Sequence, residues 1–260
     1  MRDRSSDRPE YDSFRRMDDV RGPLAHNFAR QILDTTRPFL PAPPSELRVL
    51  DIGSGYGHTA IELARHCRRV VGIEPSATLW QAAQSLNAAS GLTNVQFRRT
   101  GIYDFSEKSA YDLVVLDNVL EHLPDQPVAL RIVSECLTPG GVAYILVPNR
   151  LWPVEAHYHL PFLTYLPLRL ANLYLHLSGR GRDYTDASHA PTYCGLNRLL
   201  RDRKELSSRY VLPANLALTM AGNSLLYRMG VAMIRRCPWL WAISKSLLVI
   251  AVKRADTTRD

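Results

Sequence analysis

Three alternating glycines that directly follow an apolar run are the first feature of the sequence that indicates chemistry. Residues 49–52 (VLDI) lead into residues 53–57 (GSGYG). Glycine has no Cβ, so a turn of this kind lets the backbone approach a ligand closely. Asp51, just before the first glycine, favours a ligand with a positive charge, because a carboxylate pairs with an ammonium group. The turn is therefore predicted to bind a small cationic ligand.

A second acid, Glu74, ends the next apolar run, and it follows Asp51 by 23 residues (74 − 51 = 23). A carboxylate at this point of a nucleotide-binding unit accepts hydrogen bonds from the hydroxyls of a ribose. A dinucleotide-binding turn would have a further glycine at position 58, where this chain has His58. The pattern therefore favours a cationic nucleoside ligand. A nicotinamide-dependent oxidoreductase is the main alternative among enzymes.

Histidines and acids that follow the later apolar runs are candidates for acid–base chemistry. Glu155, His157 and His159 alternate, so in an extended segment they would share one side. Histidine titrates near neutrality and suits a base that removes the proton of an alcohol. We predict His157 or His159 as that base. The trio as a metal site is the alternative, and we predict polar substrate contacts and no required metal instead.

Glu121 and His122 form a further acid–histidine pair, after the fourth apolar run. We interpret the pair as the start of a helix that orders the loop, and His122 is a third candidate for the base.

The elements that position these residues alternate between short apolar runs and amphipathic segments. Strands are predicted at about 47–52, 69–74, 95–99, 112–117 and 142–148, and a turn at 139–141 (PGG) precedes the last of them. Most of these runs are apolar throughout, which is typical of parallel strands that are buried on both faces. The sequence therefore predicts an α/β fold with helices on both faces of the sheet.

The whole chain divides into four predicted parts. Residues 1–22 are expected to be a flexible arm, and residues 23–150 a helix (about 23–36) followed by the ligand-binding core. Residues 151–190 are aromatic and proline-punctuated, and they are predicted to be an inserted lid over the substrate. Residues 191–260 complete the sheet, with helices predicted near 193–203 and 216–235 and strands near 209–212 and 247–253.

Residues 49–57, Glu74 and residues 117–122 (DNVLEH) resemble the class I methyltransferases that use S-adenosylmethionine (SAM), and the resemblance covers about residues 47–253. It implies a Rossmann-like sheet of seven strands with the last strand antiparallel, and SAM as the cofactor. It also implies a set of residues that bind SAM: Asp51, Gly53, Ser54, Gly55, Gly57, Glu74, Pro75, Ile102, Asp117 and Asn118. Many members have an aspartate for the adenine where this chain has Gly101.

The substrate is indicated only by weaker resemblances. Residues 149–167 are similar to a segment of bacterial methyltransferases associated with cell-surface glycan biosynthesis, and the core equally resembles small-molecule O-methyltransferases of the ubiquinone type. Both imply direct, in-line methyl transfer to an oxygen of a small molecule or of a glycan or lipid-linked intermediate. The amphipathic, basic run 161–182 leaves open a peripheral contact with an anionic membrane surface. A non-catalytic SAM-fold binding module is the alternative outside enzymes.

Composition narrows the class of protein further. The net charge of +7 comes from scattered arginines and lysines without a nucleic-acid-binding motif, so no nucleic-acid partner is expected. The four cysteines have no metal-binding spacing. No apolar run reaches the roughly 20 residues that span a bilayer, and the first residues resemble no signal peptide. We therefore expect a cytoplasmic protein, and the sequence leaves its oligomeric state open.

Overall fold

The computed structural model describes residues 10–219, 221–222 and 224–255, with side chains from residue 22 onward. The strands are β1 Arg48–Ile52, β2 Arg69–Ile73, β3 Val95–Arg98, β4 Tyr111–Asp117, β5 Leu137–Pro148, β6 Leu206–Tyr210 and β7 Ser246–Lys253. The helices are α1 Glu10–Thr36, α2 His58–Ala64, α3 Ala77–Ser90, α4 Gln126–Cys136, α5 Leu168–Leu177, α6 Tyr193–Arg201 and α7 Leu225–Arg236.

All seven strands belong to one sheet, in the order β3-β2-β1-β4-β5-β7-β6. The first five strands pair in parallel, whereas β7 is antiparallel to both of its neighbours. The predicted Rossmann-like sheet with an antiparallel last strand is therefore confirmed. The order reverses at β1, and the carboxyl ends of β1 and β4 lie side by side there. Open α/β sheets bind ligands at such a point.

Two apolar cores cover the two faces of the sheet. Alternate residues of one strand point to opposite faces, so Leu50 belongs to one core and Val49 to the other. Helices α4 and α6 pack on the first face, and α1, α2 and α3 pack on the second. Burial on both faces explains why the strand runs are apolar throughout.

Helix α1 is longer than the sequence predicts. It begins at Glu10 rather than near Pro23, so residues 10–22, which were expected to be part of a flexible arm, are helical. Residues 1–9 of the predicted arm lie outside the described residues. The periodic apolar residues that indicated the helix begin only at Leu24, and Pro23 lies inside the helix. A polar first half gives no periodic signal, so the prediction missed it.

Three predicted boundaries in the second half were also wrong. The segment 139–141 is an irregularity within β5, where the pairing with β4 shifts register, rather than a turn before the strand. Strand β6 begins at Leu206, because an edge strand with exposed serines lacks an apolar signal. The helix predicted at 216–235 begins at Leu225, where the Ser224 side chain accepts a hydrogen bond from the Tyr227 N–H and caps it.

Residues 151–190 form a unit with an apolar cluster of their own. Six buried residues define this cluster: Leu160, Leu163, Ala171, Leu175, Tyr184 and Ala187. Helix α5 supplies two of them from one side and exposes leucines on the other. Among the described residues, no helix combines the length and the apolar character needed to cross a membrane.

Candidate functional site

The glycine turn between β1 and α2 is held by hydrogen bonds and by close packing. The N–H groups of Gly53 and Ser54 both donate to the Ile73 carbonyl of β2, at 2.9 and 3.0 Å. Gly57 has a φ of +84°, and a Cβ there would lie 2.6 Å from Cζ of Phe97. Gly55 also has a positive φ, of +54°, but nothing lies within 4 Å of its Cβ position. The turn is therefore packed at its ends and open at Gly55.

Glu74 links the glycine turn to the start of α3. Its Oε2 accepts a hydrogen bond from the Gly55 N–H at 3.0 Å, and its Oε1 accepts one from the Ser76 N–H at 2.9 Å. Burial raises the pKa of this carboxyl, against the lowering effect of these two hydrogen bonds. Each carboxylate oxygen has two lone-pair positions, so each retains one for a ligand hydroxyl.

Polar groups at the ends of the two central strands surround the turn. Asp51 is buried near the carboxyl end of β1. The Ser54 hydroxyl is buried and has no hydrogen-bond partner among the described residues. Asn118 follows β4 with a φ of +55° and donates from Nδ2 to Oδ1 of Asp117 at 2.8 Å. These groups offer carboxylate and hydroxyl oxygens to a ligand at this edge of the sheet.

Two further predicted cofactor residues, Pro75 and Ile102, follow β2 and β3. Pro75 is exposed, and a Cβ on Gly101 would lie 3.9 Å from it. Ile102 is only 3% exposed and belongs to the apolar cluster that contains Ile73 and Phe105. The predicted cofactor contacts of both residues stay predictions.

Two of the histidines predicted as bases, His122 and His157, lie close to Glu121 near the carboxyl ends of the strands. Glu121 and His122 lie in a short 3-10 helix, Leu120–His122, directly after β4, and His157 comes from the segment after β5. Oε1 of Glu121 lies 4.0 Å from Nε2 of His122 and 3.8 Å from Nε2 of His157. One ligand atom from each residue lies within 4.8 Å of the others. We call these three residues the EHH cluster.

Two further carboxylates orient the histidines of the EHH cluster. Nδ1 of His122 lies 3.1 Å from Oδ2 of Asp186, and Nδ1 of His157 lies 2.8 Å from Oε1 of Glu155. The Asp186 segment is fixed to the 3-10 helix because the His189 N–H donates to the Glu121 carbonyl. The cluster is therefore assembled from three separate parts of the chain.

Charge and burial act in opposite directions on this cluster. Burial raises the pKa of the Glu121 carboxyl, and the nearby histidines only partly offset that effect. Burial lowers the pKa of His122, but its hydrogen bond to the Asp186 carboxylate and the charge of Glu121 outweigh that effect, so the net pKa is raised. A proton or another cation between these groups is therefore favoured.

His159 does not join the EHH cluster. It is exposed and has a φ of +54°. The prediction that Glu155, His157 and His159 share one side of an extended segment was wrong, because residues 155–158 form a turn. The Glu155 carboxylate accepts hydrogen bonds from the N–H groups of His157 and Tyr158 and so closes this turn. Sequence reasoning also missed Asp186, since no local pattern marks it.

A family model described as a methyltransferase domain matches residues 24–204. The ubiquinone biosynthesis O-methyltransferase of Bradyrhizobium sp. (strain ORS 278) is 35% identical over 108 residues, which are 42% of each chain. That of Paracidovorax citrulli is 31% identical over 111 residues, or 42% of this chain and 47% of the relative. The match thus spans less than half of the curated relatives' length.

Solved structures share the fold at low sequence identity. The plantazolicin methyltransferase BpumL, in complex with a pentazolic desmethylPZN analog and SAH, is 18% identical with a TM-score of 0.61. That match covers 96% of this chain and 92% of BpumL. A putative S-adenosylmethionine dependent methyltransferase from Listeria monocytogenes is 18% identical with a TM-score of 0.56, over 87% of this chain and 98% of that one.

Proposed function

The chain belongs to the class I SAM-dependent methyltransferase family, and on that premise we propose that it transfers a methyl group from SAM to a hydroxyl oxygen of a small molecule. One observation carries this proposal: an open, acid-tethered glycine turn lies at the same sheet edge as the EHH cluster. The glycine turn is suited to bind a nucleoside, and the EHH cluster is suited to remove a proton. The names of the O-methyltransferase relatives support oxygen as the acceptor atom.

The residues present fit SAM. The open space at Gly55 admits a ligand edge, and Glu74 retains one acceptor position on each oxygen for the ribose hydroxyls. Asp51 provides a buried negative charge for a ligand that carries an ammonium and a sulfonium. The buried Ser54 hydroxyl supplies a further hydrogen bond. We propose that these residues, together with Gly53, Gly57, Asp117 and Asn118, hold SAM.

The chain has to align the acceptor and remove its proton. Bound SAM supplies a methyl group on a positively charged sulfur, which leaves as the neutral thioether S-adenosylhomocysteine (SAH). Alignment of the acceptor oxygen with that methyl group accounts for most of the rate enhancement. The EHH cluster, at the end of β4, is placed to take the hydroxyl proton. No covalent intermediate with the protein is required.

Calorimetric titration of the purified chain with SAM, SAH and NADH tests this function. We expect SAM and SAH to bind in the micromolar range and NADH not to bind, because His58 replaces the glycine that would accommodate a pyrophosphate. Binding of NADH alone would instead support an oxidoreductase. Binding of SAH without turnover of any hydroxyl acceptor would support a non-catalytic binding module.

Gly55→Ala is expected to weaken SAH binding at least about tenfold while changing stability little. The new methyl group meets no protein atom within 4 Å, so it projects into the space that the ligand is proposed to enter. The positive φ at this position costs about 1 kcal/mol for alanine. Gly91→Ala is the matched control, because Gly91 also has a positive φ and an open Cβ position but caps α3, away from the site. Equal SAH affinity in both variants would contradict the assignment.

The finer part of the proposal concerns residues 151–190 as a lid that reaches a membrane-borne acceptor. Helix α5 exposes Leu170, Leu173 and Leu177 along one stripe, and these side chains are 52%, 53% and 75% exposed. Arg169 and the arginines at 180 and 182 lie close by in the chain. An apolar stripe beside basic residues favours an anionic lipid surface. We therefore propose a lipid-linked or glycan-type acceptor that is presented at such a surface.

Replacing Leu170, Leu173 and Leu177 together with serine is expected to reduce sedimentation with phosphatidylglycerol vesicles at least about tenfold, since burial of three leucines is lost. The stability should stay close to that of the wild type, because all three side chains are exposed. Phosphatidylcholine vesicles serve as the neutral control. If the wild type fails to sediment with either lipid, the membrane contact is wrong and a freely diffusing acceptor takes its place.

A further inference from the structure

The carboxylate of Glu121 is buried, and its charged neighbours are the imidazoles of His122 and His157 at 4.0 and 3.8 Å. The residue is 0% exposed, and neither carboxylate oxygen has a hydrogen-bond partner among the described residues. An unpaired, buried carboxylate costs several kcal/mol, and proteins tolerate one mainly where it binds a cation. Glu121 is therefore better explained by a ligand than by a structural role.

In the neutral tautomer with Nδ1 protonated, both imidazoles of the EHH cluster present a lone pair toward Glu121. An ionised carboxylate only accepts hydrogen bonds, so Asp186 and Glu155 each require a proton on the Nδ1 that faces them. In a neutral imidazole the opposite Nε2 then carries the lone pair. Those two Nε2 atoms are the ones that lie 4.0 and 3.8 Å from Oε1 of Glu121. Three electron-pair donors thus face one small space.

We propose that Glu121, His122 and His157 bind a divalent transition-metal ion, and that this ion binds two adjacent oxygen atoms of the methyl acceptor, as in a catechol or a vicinal diol. The metal site stands on the contacts of the three residues. The assignment of the acceptor rests in addition on the proposed methyltransferase function.

The geometry of the cluster fits such an ion. Ligand atoms at about 2.1 Å from one ion lie roughly 3.0–3.5 Å apart. Oε1 of Glu121 lies 3.8 and 4.0 Å from the two Nε2 atoms, and one ligand atom from each of the three residues lies within 4.8 Å of the others. Small side-chain rotations that draw the three donors together would therefore complete the site. Two imidazoles and one carboxylate suit zinc, iron, manganese or cobalt better than magnesium.

The carboxylates behind the histidines complete the pattern. Metal-binding histidines commonly donate their other N–H to a carboxylate, which fixes the ring and its tautomer. Asp186 does this for His122, and Glu155 does it for His157. Glu155 is thus a positioning residue rather than a ligand, so the proposed ligands differ from the trio of Glu155, His157 and His159 that the sequence offers as an alternative.

An ion held by the EHH cluster would keep coordination positions for a substrate. Three protein ligands leave at least one coordination position open, and two or three in an octahedral site. A chelating pair of oxygens would fill them and be held against the end of β4. A metal ion also lowers the pKa of a bound hydroxyl. With the ion bound, the EHH cluster would therefore assist loss of the proton to solvent through the metal, instead of accepting the proton on a histidine itself.

The first experiment measures metal binding alone. Chelator-treated chain is titrated with Co²⁺, and the visible absorption of the bound ion and the bound metal content are recorded. We expect about one equivalent to bind to the wild type. Glu121→Gln and His157→Asn should each weaken binding about 100-fold or more, and Asp186→Asn about 10- to 100-fold. His159→Asn is the matched control from the same segment and should bind Co²⁺ as the wild type does.

Stability separates a ligand from a structural residue. Without metal, Glu121→Gln should unfold at the same temperature as the wild type or higher, because it removes a buried carboxylate that has no hydrogen-bond partner among the described residues. Addition of Co²⁺ should raise the unfolding temperature of the wild type only. A large loss of stability in metal-free Glu121→Gln would indicate a structural role and overturn the proposal.

The second experiment tests the acceptor class with a nitrocatechol, whose visible spectrum shifts when both of its oxygens bind a metal. We expect the shift with the Co²⁺-loaded wild type and its loss in Glu121→Gln. Catechol and a sugar with a cis-diol are then added as competitors for the nitrocatechol, and the one that displaces it shows which kind of acceptor the site prefers. Resorcinol, whose two oxygens are not adjacent, should not displace it. Absence of the spectral shift would overturn the proposal that the acceptor binds the metal through two adjacent oxygens.

The two proposals fail in different ways. If SAH binds but Co²⁺ does not, the metal site is wrong and the methyltransferase function stands. If Co²⁺ binds but SAH does not, the SAM site is wrong and the metal site stands without its acceptor.

Discussion

Glu74→Ala is expected to weaken SAH binding by at least about 100-fold. The carboxylate is proposed to accept two charge-assisted hydrogen bonds from the ribose, and each contributes about 1.5–3 kcal/mol. The change also removes the partners of the Gly55 and Ser76 N–H groups, which hold the glycine turn against the start of α3. Loss of the ligand contacts and loss of the turn's shape therefore act together. Calorimetric titration with SAH measures the effect.

Glu74→Gln separates these two contributions. Glutamine keeps one carbonyl oxygen as an acceptor but replaces the other oxygen with a donor, which repels one of the two backbone N–H groups. We expect an affinity between those of the wild type and Glu74→Ala. Glu62→Gln is a control on the surface of α2, at a glutamate that pairs with Arg65 rather than with the glycine turn. If Glu74→Ala binds SAH as tightly as this control does, the ribose assignment fails.

The parallel part of the sheet was predictable because its signal is local. Most of the first five strands are apolar runs, because a parallel strand that is covered on both faces has to bury successive side chains. The edge strand β6 and the polar first half of α1 gave no comparable signal, since Ser207 and Ser208 are exposed and residues 10–22 lack apolar periodicity. Elements that bury many apolar side chains can thus be predicted from the sequence, whereas exposed or polar elements cannot.

The cofactor side of the site was also predictable, whereas the proton-removing side was only partly so. Asp51, Glu74 and the glycines lie at the ends of successive strands, where the fold itself brings them together. The EHH cluster depends instead on contacts between residues 64 positions apart, such as His122 with Asp186. It also depends on a turn after β5 that directs His157 inward. Periodicity carries no information on such contacts, so the sequence could not distinguish His157, which joins the cluster, from His159, which lies outside it.

Gly57→Ala is expected to destabilise the fold by about 2–5 kcal/mol. This loss of stability is larger than the one expected for Gly55→Ala in the same turn. Alanine at a φ of +84° costs about 1–2 kcal/mol. Its Cβ would also lie 2.6 Å from Cζ of Phe97 and 3.0 Å from Cβ of Ala83, both in the core beneath the turn. Overpacking of this kind adds about 1–3 kcal/mol.

Thermal unfolding checks this prediction, and we expect the midpoint to fall by about 5–15 °C. Gly91→Ala carries the same backbone penalty without the clash, since nothing lies within 4 Å of its Cβ position, so it should lose only about 1 kcal/mol. The difference between the two variants isolates the packing of the turn against Phe97. Phe97→Leu replaces the ring that the new methyl group meets with a shorter side chain. The double variant Gly57→Ala/Phe97→Leu should therefore lose less stability from the clash than Gly57→Ala does. Equal stability of Gly57→Ala and Gly91→Ala would mean that the glycine is required by the ligand and not by the fold.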